Sequence, residues 1–501
     1  MEIKMYNDTV TAAVAVCDAK LELPIETEIL VPDYLPQVFK IVKCFVHLVV
    51  LQKQMSAARL TLEGYLRLTV FYQSDGEDAL CQTEQKLPFA KQLDIAQGDF
   101  FGADVAVGGE TEYINCRAVN QRRIDVRGAY ALSVTANAQG TAEVITALSD
   151  GGIEQKTEVL ESLRTLGVQE KLMTAEESIV FESQPEAVLD IACAGKVQEI
   201  KLLSGKAVLK GTIDADVLYR AAGLQHLAKE VPFNEIIEVE GADEGCGSIA
   251  FVEPTGCTLL AGDDGKMTLT VTALLHIKVY RATEVVAVCE AFSTQYETQL
   301  TFNTIYTEKK VDAFDVQIEA TAEGLIADEQ TQILAAFAMP MQPELLQEGE
   351  KTSLRGRVLA HILCRNALGE IDCYDKVCEY ILPGGYAFPR EQLILTARAA
   401  VVQVSAKKTG GTASAAVLLR VSGLVTLRCA HTVLQQVACG EPLQRTDGNI
   451  ALRIYYAEQG EPLFDIARRY AVSPGAIAAV NNLAGDTVEQ KTQLLVPSSL
   501  Q

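Results

Sequence analysis

At 501 residues the chain is too long for one core, and a prior of about 150 residues per domain predicts three or four domains. With 49% apolar and 22% charged residues it can bury cores and is not a disordered tail. A net charge of −23 repels phosphate backbones and anionic headgroups, which argues against nucleic acid or an anionic membrane surface as a partner.

The chain starts Met1-Glu-Ile-Lys-Met-Tyr-Asn-Asp8, without the basic and then apolar pattern of a signal peptide. The longest apolar runs are of strand length; Phe45–Leu51 is already interrupted by His47, so no membrane span is expected. In a long chain without an export signal, thirteen cysteines read as reduced thiols rather than as a disulfide framework. No Cys-x-x-Cys occurs, and the tightest pair, Cys373 and Cys378, has no histidine near it in sequence to complete a zinc set. Cys44, Cys193 and Cys364 sit in apolar patterns where a small hydrophobe fits.

A strand recurs three times. Leu60, Leu62, Leu66, Leu68, Val70 and Tyr72 alternate on one face; so do Leu209, Ile213, Ala215, Val217 and Tyr219, and Leu354, Val358, Ala360, Ile362 and Cys364. Period-2 alternation predicts a half-buried strand. Each copy has an interior glycine (Gly64, Gly211, Gly356) and, eight residues on, Tyr72, Tyr219 or Cys364. Glycine weakens a strand interior, so its recurrence predicts a bulge or a close backbone approach.

A polar turn follows each copy, at 73–78, 220–223 and 365–369. A second apolar element then ends in Leu87-Pro-Phe89, Val231-Pro-Phe233 or Leu382-Pro-Gly384. Strands over 123–134, 267–279 and 415–427 close the units, the last two entered from hairpin turns at Asp263-Asp-Gly265 and Thr409-Gly-Gly-Thr412. Stretches 140–175 and 285–315 read as ordered connectors; 155–163 fits a helix or a strand.

The last fifty residues change character. Leu463, Ile466, Ala467 and Tyr470 share one helical face, with Pro462 placed as the first helical residue. Ser473-Pro474 starts a second helix whose buried face is Ile477 and Val480. A strand on either side completes a βααβ unit.

This tail, through Tyr456, Gly460, Leu463, Ile466, Ala467, Tyr470, Val472, Asn481, Leu483, Leu494, Val496 and Pro497, resembles a LysM module, a small glycan- or protein-binding domain. The resemblance implies a ligand groove at Gly460, Glu461, Pro462, Leu463 and Phe464 facing Asn481, Asn482 and Leu483. Glu461-Pro462 replaces the family's Asp-Thr and Lys491 replaces its turn glycine, which favours a protein ligand over a sugar. Phe464, one step off the buried face, is expected as a partly exposed apolar anchor.

The repeated Gly…Tyr…Pro-Phe pattern resembles the SPOCS domain of endospore formers, and the whole order resembles their coat morphogenetic proteins. The expected fold is mainly β: three tandem β-sandwich-like SPOCS units (1–140, 141–284, 285–449) and a βααβ LysM domain (450–501). The resemblance implies a mother-cell cytoplasmic adaptor at the forespore surface, binding a SpoIVA-like coat-basement ATPase through LysM. Peptidoglycan binding is the alternative, and the repeats also allow self-association.

Catalytic chemistry is not expected. His47, His276 and His361 lie in alternating strands, no His-x-x-x-His or Gly-x-Ser-x-Gly occurs, and Gly262–Lys266 is too short for a phosphate loop. Asp214 and Asp216 read as the wet face of a sheet. No catalytic residue, metal or cofactor is expected.

Overall fold

The computed structural model describes residues 3–56, 58–74, 80–261, 266–325, 331–443 and 452–497. The expected turn at 262–265, most of that at 73–78, Ala451 and the last four residues lie outside this set.

The first unit runs β1 (Lys4–Leu30), β2 (Val38–Ser56), β3 (Arg59–Ser74), β4 (Leu80–Asp94), β5 (Phe101–Asn120) and β6 (Arg123–Ser149). The second repeats it as β7 (Ile153–Ile179), β8 (Ala187–Leu203), β9 (Lys206–Arg220), β10 (Leu224–Glu238), β11 (Gly247–Ala261) and β12 (Met267–Ser293). The third is β13 (Tyr296–Leu325), β14 (Gln332–Pro340), β15 (Glu344–Glu348), β16 (Lys351–Arg365), β17 (Ile371–Ile381), β18 (Leu393–Thr409) and β19 (Thr412–Pro442).

Each unit holds two small sheets, three strands wide apart from the split strand β14/β15. A meander such as β2-β3-β4 makes one, and β1-β6-β5 makes the other. The broad sheets of a β-sandwich are absent from the described residues. In the first unit Leu62, Leu66, Leu68 and Val70 of β3 meet Ile124, Val126, Leu132 and Val134 of β6 in one core. A fully buried leucine or valine contributes about 1.5–3 kcal/mol, so this alternation alone fixes which face of β3 points inward.

The recurrent glycines are explained by both neighbours of the central strand. Gly64 pairs with Phe89, Gly211 with Phe233 and Gly356 with Tyr380. A Cβ at Gly64 or Gly211 would run into the carbonyl oxygen of Val49 or Lys196 and into the facing aromatic ring. The opposite strand bulges at the same place, between Val50 and Gln52 and between Val197 and Glu199. In the third unit the bulge widens into the break between β14 and β15, and Tyr380 supplies the ring that the Leu382-Pro-Gly384 segment lacks.

The segments expected as connectors are the outer halves of very long hairpins. β1–β6, β7–β12 and β13–β19 pair almost end to end, whereas β5, β11 and β18 leave their partners at Gln139, Tyr280 and Leu427. The bare ribbons pack together through Ile145, Leu148, Val288, Ala291, Leu434 and Val437 as a common stem. Residues 155–163 are therefore strand, paired in antiparallel register with Ala282–Ala291 of β12, although 156–159 are exposed. The units change over at the turns Asp150–Gly152 and Thr294–Gln295, so the expected boundaries at 140 and 284 fall inside β6 and β12.

At the opposite end the three meanders meet through Phe71, Leu218 and Leu363, each the residue before the recurrent Tyr72, Tyr219 or Cys364. Between apex and stem lies a buried ionic junction. Asp104 of β5 faces Lys278 (3.4 Å) and His276 (3.7 Å) of β12 and Thr396 (3.3 Å) of β18, one strand from each unit.

Candidate functional site

The C-terminal module is β20 (Leu452–Ala457), α1 (Leu463–Tyr470), α2 (Pro474–Asn481) and β21 (Thr492–Pro497). Ala457, Leu463, Ile466, Ala467, Val472, Ile477, Leu494 and Val496 form its core. Pro462 is the N-cap rather than the first helical residue: its carbonyl accepts from the Asp465 and Ile466 amides. Ser473 is the N-cap of α2 with Pro474 behind it, as expected, but Val480 is exposed. Asp465 in the first turn of α1 and Arg468 and Arg469 in the last match the helix dipole.

The first of the two expected groove stretches is stitched to the loop before β21. The Gly460 amide donates to Val488 O (2.8 Å), Leu463 N to Asp486 O (2.8 Å), and Val488 N to Glu461 O (3.0 Å). Gly460 has φ +83° with nothing near its missing side chain, and Asn482 is an exposed left-handed C-cap. These two are open to a ligand.

The other expected site residues serve the fold first. Leu463 is buried and Leu483 packs on the core. Glu461 turns back onto β20, accepting from the Tyr455 hydroxyl (2.6 Å) and the Glu458 amide (3.2 Å), with the Arg469 guanidinium 3.6 Å away. The bond to Glu461 holds the Tyr455 phenol above its ordinary pKa. Phe464 meets Phe292 at the end of β12, ring centroids 5.1 Å apart, and Arg468 pairs with Glu290 beside it. The stem thus occupies the ring expected as an exposed anchor. Lys491, in the turn, only forms a surface ion pair with Glu458.

Asn481 acts as a short third strand. Its amide donates to Ile477 O (2.8 Å) and Leu495 O (2.7 Å), and its oxygen accepts from Leu495 N (2.7 Å). Asn481→Ala is expected to cost the module about 1–3 kcal/mol and to speed hydrogen exchange at the Leu495 amide. Unchanged exchange there would contradict this role.

The strand before α1 carries a surface that the sequence reading passed over. Arg453, Tyr455 and Ala457 face the helices, so Leu452, Ile454 and Tyr456 point outward, 50%, 61% and 67% exposed. Leu495 of β21, paired with Ile454, extends the stripe. The signal was present: in a two-faced strand, apolar residues on both faces leave one set without a core.

A cavity of about 1160 Å³ opens between the three units. Asp214 and Asp216, expected on a wet sheet face, line it, and Asp216 bonds His226 (3.1 Å). Burial pushes Asp190 up to about 6 and His47 down to about 3 in the same wall. The lining mixes both charges.

No helix among the described residues is long and apolar enough to cross a membrane. Residues 184–256, which run from just before β8 into β11, match the family model described as SipL, SPOCS domain. Residues 455–497 match the LysM domain model. No curated protein and no solved structure matches the chain.

Proposed function

We propose that this chain, which carries a SPOCS domain and a LysM domain, is a non-enzymatic adaptor of endospore coat assembly. It would work at the mother-cell face of the forespore, its LysM module capturing a SpoIVA-like basement ATPase. The three β units form the platform; their exposed sheet edges offer surfaces for self-association.

The observation that carries the reading is the outward stripe of Leu452, Ile454, Tyr456 and Leu495, on the face turned away from the module's core. Contiguous exposed apolar side chains fit a protein surface, and burying them supplies the binding energy. Glu461 and Asn481, by contrast, spend their polar atoms within the module.

Ile454→Asp in the full chain is expected to reduce capture of the ATPase from sporulating cells by roughly tenfold or more, while the module still melts cooperatively. Undiminished capture would refute this face. A second reading, peptidoglycan binding, is supported by the LysM match itself and by the open Gly460 and Asn482. Co-sedimentation with purified sacculi separates the two: a protein-directed module stays in the supernatant.

A further inference from the structure

The third unit differs from the other two at one cross-strand cluster. On β16 and β17, His361 pairs with Asp375 and Leu363 with Cys373, which places His361, Cys373 and Asp375 on one face. The corresponding pairs are Thr69 with Glu84 and Phe71 with Gln82 in the first unit, and Asp216 with Ala228 and Leu218 with His226 in the second. Neither copy assembles an imidazole, a thiol and a carboxylate.

The geometry points to a binding site for a thiophilic divalent ion of the zinc class, held by His361 Nδ1, Cys373 Sγ and Asp375 Oδ1. His361 Nδ1 lies 2.8 Å from Asp375 Oδ1, and Cys373 Sγ lies 3.8 Å from the same oxygen. All three ligand atoms fall within 4.8 Å of one another. Tetrahedral zinc with bonds of about 2.0–2.3 Å sets its ligands roughly 3.3–3.8 Å apart, so sub-ångström shifts suffice.

Charge and setting agree. Thiolate and carboxylate together neutralise a divalent ion, and the thiolate selects against magnesium and calcium. Lys43 of β2 pairs with the other carboxylate oxygen, Oδ2, so it steadies Asp375 from the first unit without using the ligating atom. The His361 ring is 2% exposed, packed edge-on to Phe45 at 4.8 Å, and its Nε2 has no partner. Nothing outside the cluster therefore fixes its tautomer: the proton on Nδ1 can move to Nε2 as the metal binds.

One thiol proton leaves for each ion bound. The thiol must shed its proton to bind, so affinity should rise with pH. Because Lys43 and Phe45 belong to the first unit, the ion would also brace the seam where that unit meets the third.

The test is titration of the full chain with Co²⁺, followed by displacement with Zn²⁺. One equivalent should give a near-ultraviolet thiolate-to-cobalt charge-transfer band, lost in Cys373→Ser and in His361→Ala and kept in Cys289→Ser. Zn²⁺ should raise the thermal midpoint of the wild type and of Cys289→Ser only. Far-UV circular dichroism checks that each variant folds, and Asp375→Asn replaces any that does not, with the same expected loss. No thiolate band in the wild type, or a band that survives Cys373→Ser, overturns the proposal.

Discussion

Asp104→Ala is expected to destabilise the β body by about 3–5 kcal/mol, the cost of leaving a buried charge without its partner. Asp104 and Lys278 are 8% and 7% exposed. Burial pushes the Asp104 carboxyl up, but Lys278, His276 and Arg398 outweigh it and hold it below the usual carboxylate range. Its partners come from β12 and β18, so the substitution acts where the three units join rather than inside one of them. Lys278→Met added to Asp104→Ala should restore much of the loss, since an apolar pair of similar volume avoids the desolvation of both ions.

The same junction predicts acid lability. A carboxylate with a depressed folded pKa stabilises above its unfolded value, and that contribution is lost as pH falls through the folded value. Burial also lowers His276, to about 4. Its unfolded form takes a proton below about 6.5 while the folded form does not, so stability again falls on acidification between these values. Glu308, raised by burial, pulls the other way. Urea midpoints followed by far-UV circular dichroism suit a chain without tryptophan. They should drop from pH 7 to 4 in the wild type and less steeply in His276→Gln; equal slopes would contradict the assignment.

Gly211→Val is expected to cost about 3 kcal/mol or more, the upper range for overpacking. The new side chain would meet the Lys196 carbonyl, which cannot turn away within its strand, and the Phe233 ring at 2.6 Å. Gly64→Val should behave alike, against Val49 and Phe89. Gly356→Val should cost less, because its obstacle is the end of the Tyr380 side chain rather than backbone. Gly256→Val, at a position with nothing within 4 Å, is the control. Thermal midpoints in that order would tie the repeated glycine to the bulge and the ring; equal losses at Gly211 and Gly256 would separate them.

Much of the β architecture was legible because alternation has one physical cause. The face of β3, β9 and β16 read from period 2 is the face found in the cores, and interior glycine announced a close approach. Length was not legible. No composition change marks Gln139 or Tyr280, where β5 and β11 part from strands that simply continue into the stem. The sequence pattern there is that of any strand, so boundaries drawn at 140 and 284 miss the turns at Asp150 and Thr294.

In the LysM module the helices were legible from i, i+3, i+4 spacing, but side-chain direction was not. Asn481 and Glu461 look like groove ligands in one dimension and become internal braces in three. Phe464 looked unpartnered because Phe292 lies far away in sequence. The cluster of His361, Cys373 and Asp375 was hidden for the same reason: cross-strand pairing, not spacing, assembles it.

The most direct test of the adaptor reading is capture of the SpoIVA-like ATPase from sporulating cells by the full chain and by a chain ending at Leu443. Loss of the ATPase with the shorter chain, whose β body still melts cooperatively, is the predicted result. Equal capture by both would place the hook elsewhere and contradict the account.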